Sequence, residues 1–328
     1  MTAETTSDIA TFEQGEVTIE RSGVQVSAMD GTILRGWRYR VIKAGTGRKT
    51  GDRRSDRVLV CVPSETGSSR EFHQFILRLQ AMGDAPRTVF ALDMRGRGRS
   101  DRPALETCTP RVEADDIIAF CDSHNLHHIT LLANARASLA ALLIGPKRPS
   151  LLQSVIFNDG GPERDGVGIA RQQAEHKAIQ PPRDWEQAVA QLQKIKGKHF
   201  PGYSSEDWRT LAATIWIETD GGLVRDCDPT LADALNNVAF DERQPTLWTE
   251  LRILKDRPLL LLRGEQSLLM SADIAEKMKQ AVPALAHVVA SKQGHAPMLH
   301  IGDLAEKILD FLRAIDAQGF DSNGSNSR

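Results

Sequence analysis

Aromatic side chains are scarce in this chain: Phe, Trp and Tyr together make up 5% of 328 residues, and tyrosine occurs twice. Cysteine is scarce too. The four present (Cys61, Cys108, Cys121, Cys227) form no CxxC pair and show no metal-ligand spacing to histidine. A disulfide scaffold and a zinc site are therefore excluded, no metal or cofactor is expected, and a reducing cytoplasm is the expected compartment. Charge of one sign is not in excess: 41 Lys and Arg against 43 Asp and Glu leave a net −2. That balance gives no domain-wide footprint for nucleic acid. No run approaches the ~18 apolar residues of a membrane span, so no membrane partner is expected. The opening MTAETTSDIA lacks the basic and apolar regions of a secretory signal.

What is present is ordinary globular composition, 41% hydrophobic and 26% charged. At roughly 150 residues per domain the length fits two domains, or one large domain with an insertion, and either buries an ample core. Monomer and homodimer are equally open. The tryptophans are unevenly placed: four of the five lie between Trp185 and Trp248.

Residues 1–15 and 317–328 are polar and read as flexible ends. From Val17 the pattern becomes β-like, and Met29-Asp30-Gly31 between alternating segments is a hairpin signal. The Gly-rich, basic stretch 44–57 reads as an exposed loop. Beyond it, short apolar β-branched runs alternate with helical periodicity. Strands are expected at 57–63, 88–93, 128–133 and 151–159, and helices at 70–83, 112–124 and 135–145. The alternation stops near Pro162 and resumes with strands at 257–264 and 285–290 and helices at 271–282 and 302–315. Successive β–α units imply right-handed crossovers and an α/β fold with a doubly wound, mostly parallel sheet. The core is then 16–162 and 251–316, and 163–250 is an inserted, largely helical cap.

Arg95-Gly96-Arg97-Gly98-Arg99-Ser100-Asp101 follows a strand, so a dinucleotide loop has to be considered. Asp101 stands where the third glycine belongs, and Pro103 follows where a helix should propagate. A structural turn whose arginines pair with carboxylates is the better reading.

These segments, taken in order, resemble the α/β-hydrolase superfamily. LDMRGRGRSDRP resembles its loop after the fourth strand, and SVIFNDGGP the "LNDIGP" sixth strand of a bacterial esterase-like subfamily with a helical cap. HFPGYSSEDW resembles a cap stretch, LLLLRGEQSLLMS the "LRGExSDLLS" seventh strand, and GHAPML the histidine loop. The resemblance runs from about residue 16 to 315. It implies an α/β-hydrolase fold and a serine esterase-like site.

That site is degenerate. The nucleophile elbow G-x-S-x-G reads Ala133-Asn134-Ala135-Arg136-Ala137, so the nucleophile position is Ala135, and a methyl group cannot attack a carbonyl. Ser138, about 300° further round the helix, is a poor substitute. The acid position is Leu268, which accepts no hydrogen bond. His295, in Gly294-His295-Ala296-Pro297, is retained. The oxyanion loop reads Pro63-Ser64-Glu65-Thr66, where Glu65 would set a carboxylate against an anionic intermediate. A single engineered Ser→Ala knockout would leave the acid, the glycines and this loop intact, so the joint change reads as natural loss. Asp159, at the end of the sixth strand, has two readings: partner of His295 in a surviving general-base dyad of lyase- or cofactor-free oxygenase-like type, or a structural cap of the Asn158-Asp159-Gly160-Gly161 turn. Trp185, Trp208, Trp216 and Trp248 either line the pocket or hold the cap together. The expected pocket comprises Ser64, Glu65, Asn134, Ala135, Arg136 and those tryptophans. It would take a small, mostly apolar or ester-like molecule, or a protein partner, without hydrolysis.

Overall fold

A computed structural model describes residues 9–44, 57–83, 86–235 and 245–318. Nearly all of the basic loop and the end of the C-terminal tail lie outside the described residues. In chain order the chain forms β1 (Ala10–Gln14), β2 (Val17–Ser27), β3 (Ile33–Lys43), β4 (Val58–Val62), α1 (His73–Met82), β5 (Thr88–Asp93), α2 (Pro110–Ser123), β6 (Ile129–Asn134), α3 (Ala137–Lys147) and β7 (Leu152–Asn158). An insert follows, with α4 (Gly166–Ala178), α5 (Trp185–Lys196), α6 (Ser205–Ile215), β8 (Trp216–Thr219), β9 (Gly222–Arg225), α7 (Pro229–Leu235) and α8 (Trp248–Ile253). The chain then returns as β10 (Leu259–Gly264), α9 (Ala272–Ala281), β11 (Ala286–Ala290) and α10 (Leu304–Ala317).

Nine strands make one sheet in the order β1-β2-β3-β5-β4-β6-β7-β10-β11. From β5 to β11 all neighbours are parallel, and β1 to β3 add an antiparallel edge. The continuous apolar runs follow from burial on both faces. In β4, Val58, Val60 and Val62 point into one core, while Leu59 and Cys61 point into the other. Helices α2, α3 and α9 cover the first face, and α1 and α10 the second. This is the α/β, doubly wound arrangement the alternation implies.

One expectation needs correction. Ala10–Gln14, placed in a flexible end, is the edge strand β1, because its alternating residues pair in register from Ala10↔Arg21 to Gln14↔Val17. The largely helical insert also carries a β8–β9 hairpin closed by Gly221-Gly222, with Gly222 at φ +102°.

The Arg95–Asp101 turn is structural, as its residues suggest. Arg95 forks onto Asp116 (2.7 and 2.6 Å), and Arg97 Nη1 donates to Glu113 (2.8 Å). Gly98, at φ +54°, lies so close to Asp93 that an added Cβ would sit 2.4 Å from its carboxyl carbon.

The insert leaves and re-enters the core at one neck, where Leu247 N–H donates to the Pro162 carbonyl (2.8 Å). It has its own apolar cluster, including Leu192, Phe200, Trp208, Ala212 and Trp216. Buried Ser68 ties it down by donating to Asp226 (2.7 Å).

Candidate functional site

Open parallel sheets place ligands beyond the carboxyl ends of their strands. Here β4, β6, β7, β10 and the loop after β11 deliver Ser64, Ala135, Asp159, Ser267 and His295 to that edge. Ala135 sits at φ +51°, a left-handed conformation that a β-to-α elbow imposes and an L-residue adopts at some cost. Its N–H donates to the Asn158 carbonyl (2.8 Å). Gly160 must be glycine, because a Cβ there would lie 2.2 Å from the Ala135 carbonyl oxygen. The elbow is thus fully formed around a methyl group. Ser138 is completely buried with its hydroxyl unpartnered in the interior, so it is no substitute nucleophile.

Asp159 is fully buried, and its Oδ2 lies 2.6 Å from His295 Nδ1. Ser267 Oγ donates to the same oxygen (2.6 Å), and the Gly264 N–H donates to Oδ1 (2.8 Å). Of the two readings of Asp159, the geometry is that of the dyad: the turn at φ +55° aims the carboxylate at the imidazole. Leu268 is 41% exposed, away from this arrangement, and its neighbour Ser267 meets Asp159 instead.

The oxyanion loop differs from expectation. Glu65 is held by two arginines, Arg136 of the elbow through Nε at 3.4 Å and Arg164 through Nη1 at 3.9 Å. The carboxylate that meets the loop is Glu71. It accepts the Ser64 N–H (2.9 Å), the Ser64 hydroxyl (2.5 Å) and Asn134 Nδ2 (2.8 Å). Val62 pairs with Ala133 across β4 and β6, so Ser64 and Ala135 each lie two residues past that pair. Burial pushes the Glu71 carboxyl above its ordinary range, against the downward pull of those hydrogen bonds. Sequence reasoning missed Glu71, whose one signal is a lone acid in the first turn of a helix after the loop.

Arg136 is anchored below the elbow. Its Nη1 donates to both Glu113 oxygens (3.0 and 2.8 Å), and its Nη2 to the Cys108 carbonyl (2.9 Å). Burial alone would raise the Glu113 carboxyl, but Arg136 and Arg97 outweigh it and hold the group at about 2.

A narrow cleft opens beside Ala135, with a cavity volume of about 10 Å³, enough for about one water molecule. Leu139, Leu269 and Met270 form its apolar side, and Arg136, Asp159, Glu163 and Arg164 its charged side. Of the expected pocket, Ala135 and Arg136 line it. Ser64 and Asn134 are bound to Glu71, and none of the four tryptophans is in the lining. Trp208 and Trp216 are buried in the insert's own cluster, with Trp185 against it; Trp248 packs on the sheet core and donates to Glu163 (2.9 Å). Large rings supply most of the apolar area a small subdomain can bury, which explains their clustering. Among the described residues, no group of three or more His, Cys, Asp or Glu is placed to hold a metal ion, and no helix is long and apolar enough to cross a membrane.

With this geometry in view, the comparisons with known proteins agree. The model of the alpha/beta hydrolase family matches residues 59–307. A 3-hydroxybutyrate-oligomer hydrolase of Cupriavidus necator is 27% identical over 259 residues, covering 75% of this chain and 85% of that protein. The crystal structure of an alpha/beta hydrolase from Novosphingobium aromaticivorans superposes with a TM-score of 0.76 at 25% identity, covering 92% of this chain and 99% of that one. E-2-(acetamidomethylene)succinate hydrolase shares the fold, with a TM-score of 0.62 at 22% identity over 94% of this chain and 97% of its own.

Proposed function

The chain belongs to the alpha/beta hydrolase family, and from that premise we propose that it is a non-hydrolytic member that holds a small ester-like or acid molecule in the cleft between cap and core. The observation that carries this reading is Ala135, a methyl group at φ +51° on a complete elbow. Acyl transfer in this fold needs a nucleophile there, and neither His295 nor Asp159 can supply one from its present bonds. Glu71 adds a second obstacle, because its carboxylate takes the Ser64 N–H that an oxyanion would need. The Cupriavidus relative is named for an oligomeric ester, which supports an ester-like ligand class.

The test is a fluorophosphonate probe, which phosphonylates activated serines, read by intact-mass spectrometry. The proposal predicts an unmodified mass. A stoichiometric adduct that disappears in His295→Ala would overturn it.

A second reading starts from the same pair of residues. The 2.6 Å contact between Asp159 and His295 fixes the imidazole with Nε2 available as a general base, suited to removing an acidic C–H or O–H proton from a bound ligand. It requires ligand-dependent deuterium incorporation from solvent that His295→Ala abolishes. Exchange of equal rate in both proteins rules it out.

A further inference from the structure

Of the arginines around the cleft, Arg164 has the fewest partners among the described residues. Arg97, Arg136 and Arg164 face two carboxylates, Glu65 and Glu113. Arg97 and Arg136 are held by hydrogen bonds: Arg97 Nε donates to the Glu65 carbonyl (2.6 Å), and Arg136 forks as described. Arg164 is different. Among the described residues, only Glu65 comes within ion-pair range of it, at 3.9 Å, and Glu65 is already shared with Arg136 at 3.4 Å. Its side chain is 16% exposed and none of its nitrogens is both buried and unpartnered, so a ligand oxygen here would replace water on the guanidinium.

The other acids at the cleft are committed elsewhere. Asp159 accepts from Gly264 and Ser267 and meets His295. Glu163 accepts from Trp248 Nε1 (2.9 Å) and faces Lys277 (3.9 Å). Arg164 lines the cleft together with Ala135, Gly160 and the apolar Leu139, Leu269 and Met270.

We infer that the cleft receives a small organic carboxylate and that Arg164 is the residue that holds it. The inference rests on the ligand-binding reading above and names the class of its ligand. A carboxylate supplies the planar, two-oxygen partner that a guanidinium fork matches, and a short alkyl chain meets the apolar side. The enclosed volume is that of about one water molecule, so no more than a carboxylate oxygen is enclosed and the rest of the acid lies at the mouth.

The test is ligand-observed NMR titration of the full-length protein with butyrate and with butyramide, its uncharged isostere. Butyrate should bind at least roughly tenfold more tightly than butyramide. Arg164→Gln should remove that preference while leaving butyramide unchanged. If Arg164→Gln fails to fold by circular dichroism, Arg164→Lys is read instead; it keeps the charge without the fork and should bind butyrate between wild type and butyramide. Equal binding of the two probes to wild type overturns the carboxylate assignment and leaves the ligand-binding reading standing. Butyrate binding unchanged in whichever variant folds overturns the role of Arg164. Binding of neither probe overturns both.

Discussion

Asp159 and His295, 136 residues apart in the chain, meet with Oδ2 and Nδ1 2.6 Å apart, one at the end of β7 and the other in the loop after β11. This pair replaces the arrangement expected from the seventh strand, where Leu268 faces solvent. A carboxylate on a different strand therefore meets the histidine, while position 135 carries a methyl group.

Exchanging the two positions separates them. Asp159→Ala strands the Gly264 N–H, the Ser267 hydroxyl and the His295 ring in a fully buried site, and should cost about 1–3 kcal/mol in chemical denaturation. Leu268→Asp lies on the surface and should change stability by no more than about 0.5 kcal/mol. If Leu268→Asp rescued the loss in Asp159→Ala, the assignment of Asp159 as the partner of His295 would fail.

Restoring the serine alone should not restore esterase activity. Ala135→Ser recreates nucleophile, base and acid, but the Ser64 N–H still points at Glu71. Adding Glu71→Ala opens that donor, and one oxyanion donor is worth about 10²–10³-fold in rate. Steady-state hydrolysis of p-nitrophenyl butyrate should therefore stay near background in the single variant and rise about 10²-fold in the double variant. Full activity in Ala135→Ser alone would show that Glu71 is no obstacle.

Glu113 bridges Arg97 and Arg136 beneath the elbow, nearly out of solvent. Glu113→Gln leaves Arg97 without its carboxylate and Arg136 with Glu65 alone, and should destabilise the fold by about 3 kcal/mol. A denaturation midpoint equal to wild type would show that water or a rearranged Glu65 replaces it.

Acid should weaken the protein in two stages. His73 and His176 are both held at about 4 rather than 6.5, first by burial and then by neighbouring cations: Arg21 and Arg70 for His73, Lys196 and Arg225 for His176. The fold prefers both rings neutral, while the unfolded chain takes up protons near 6.5. Their contribution is therefore complete above pH 6.5 and is lost as pH falls toward 4. Glu113, at about 2 instead of 4.5, adds a second loss between those values. Thermal melts from pH 7.5 to 4 should show a falling midpoint, and His73→Gln with His176→Gln should flatten the upper part of that fall. An unchanged slope in the double variant would contradict it.

The sheet was legible because its chemistry is local. Runs such as Val58–Val62 and Leu259–Gly264 need burial on both faces, and the helices between them repeat with the right period. Ala135, His295 and the Asp159 alternative were legible because each ends a strand at the carboxyl edge. Glu71, Ser267 and Arg164 were not. Their roles come from which carboxylate an arginine draws away and which it leaves, and that is decided by side chains from different strand ends. The tryptophans left two readings open for a related reason: clustering in sequence reports a small subdomain's need for apolar area and says nothing of which face each ring takes.

The central claim is that this member of the family has no hydrolytic cycle at position 135. Turnover of p-nitrophenyl butyrate by the wild-type protein, measured beside His295→Ala, tests it most directly. The account predicts that both proteins match the buffer rate. Wild-type turnover far above buffer that His295→Ala abolishes would contradict it.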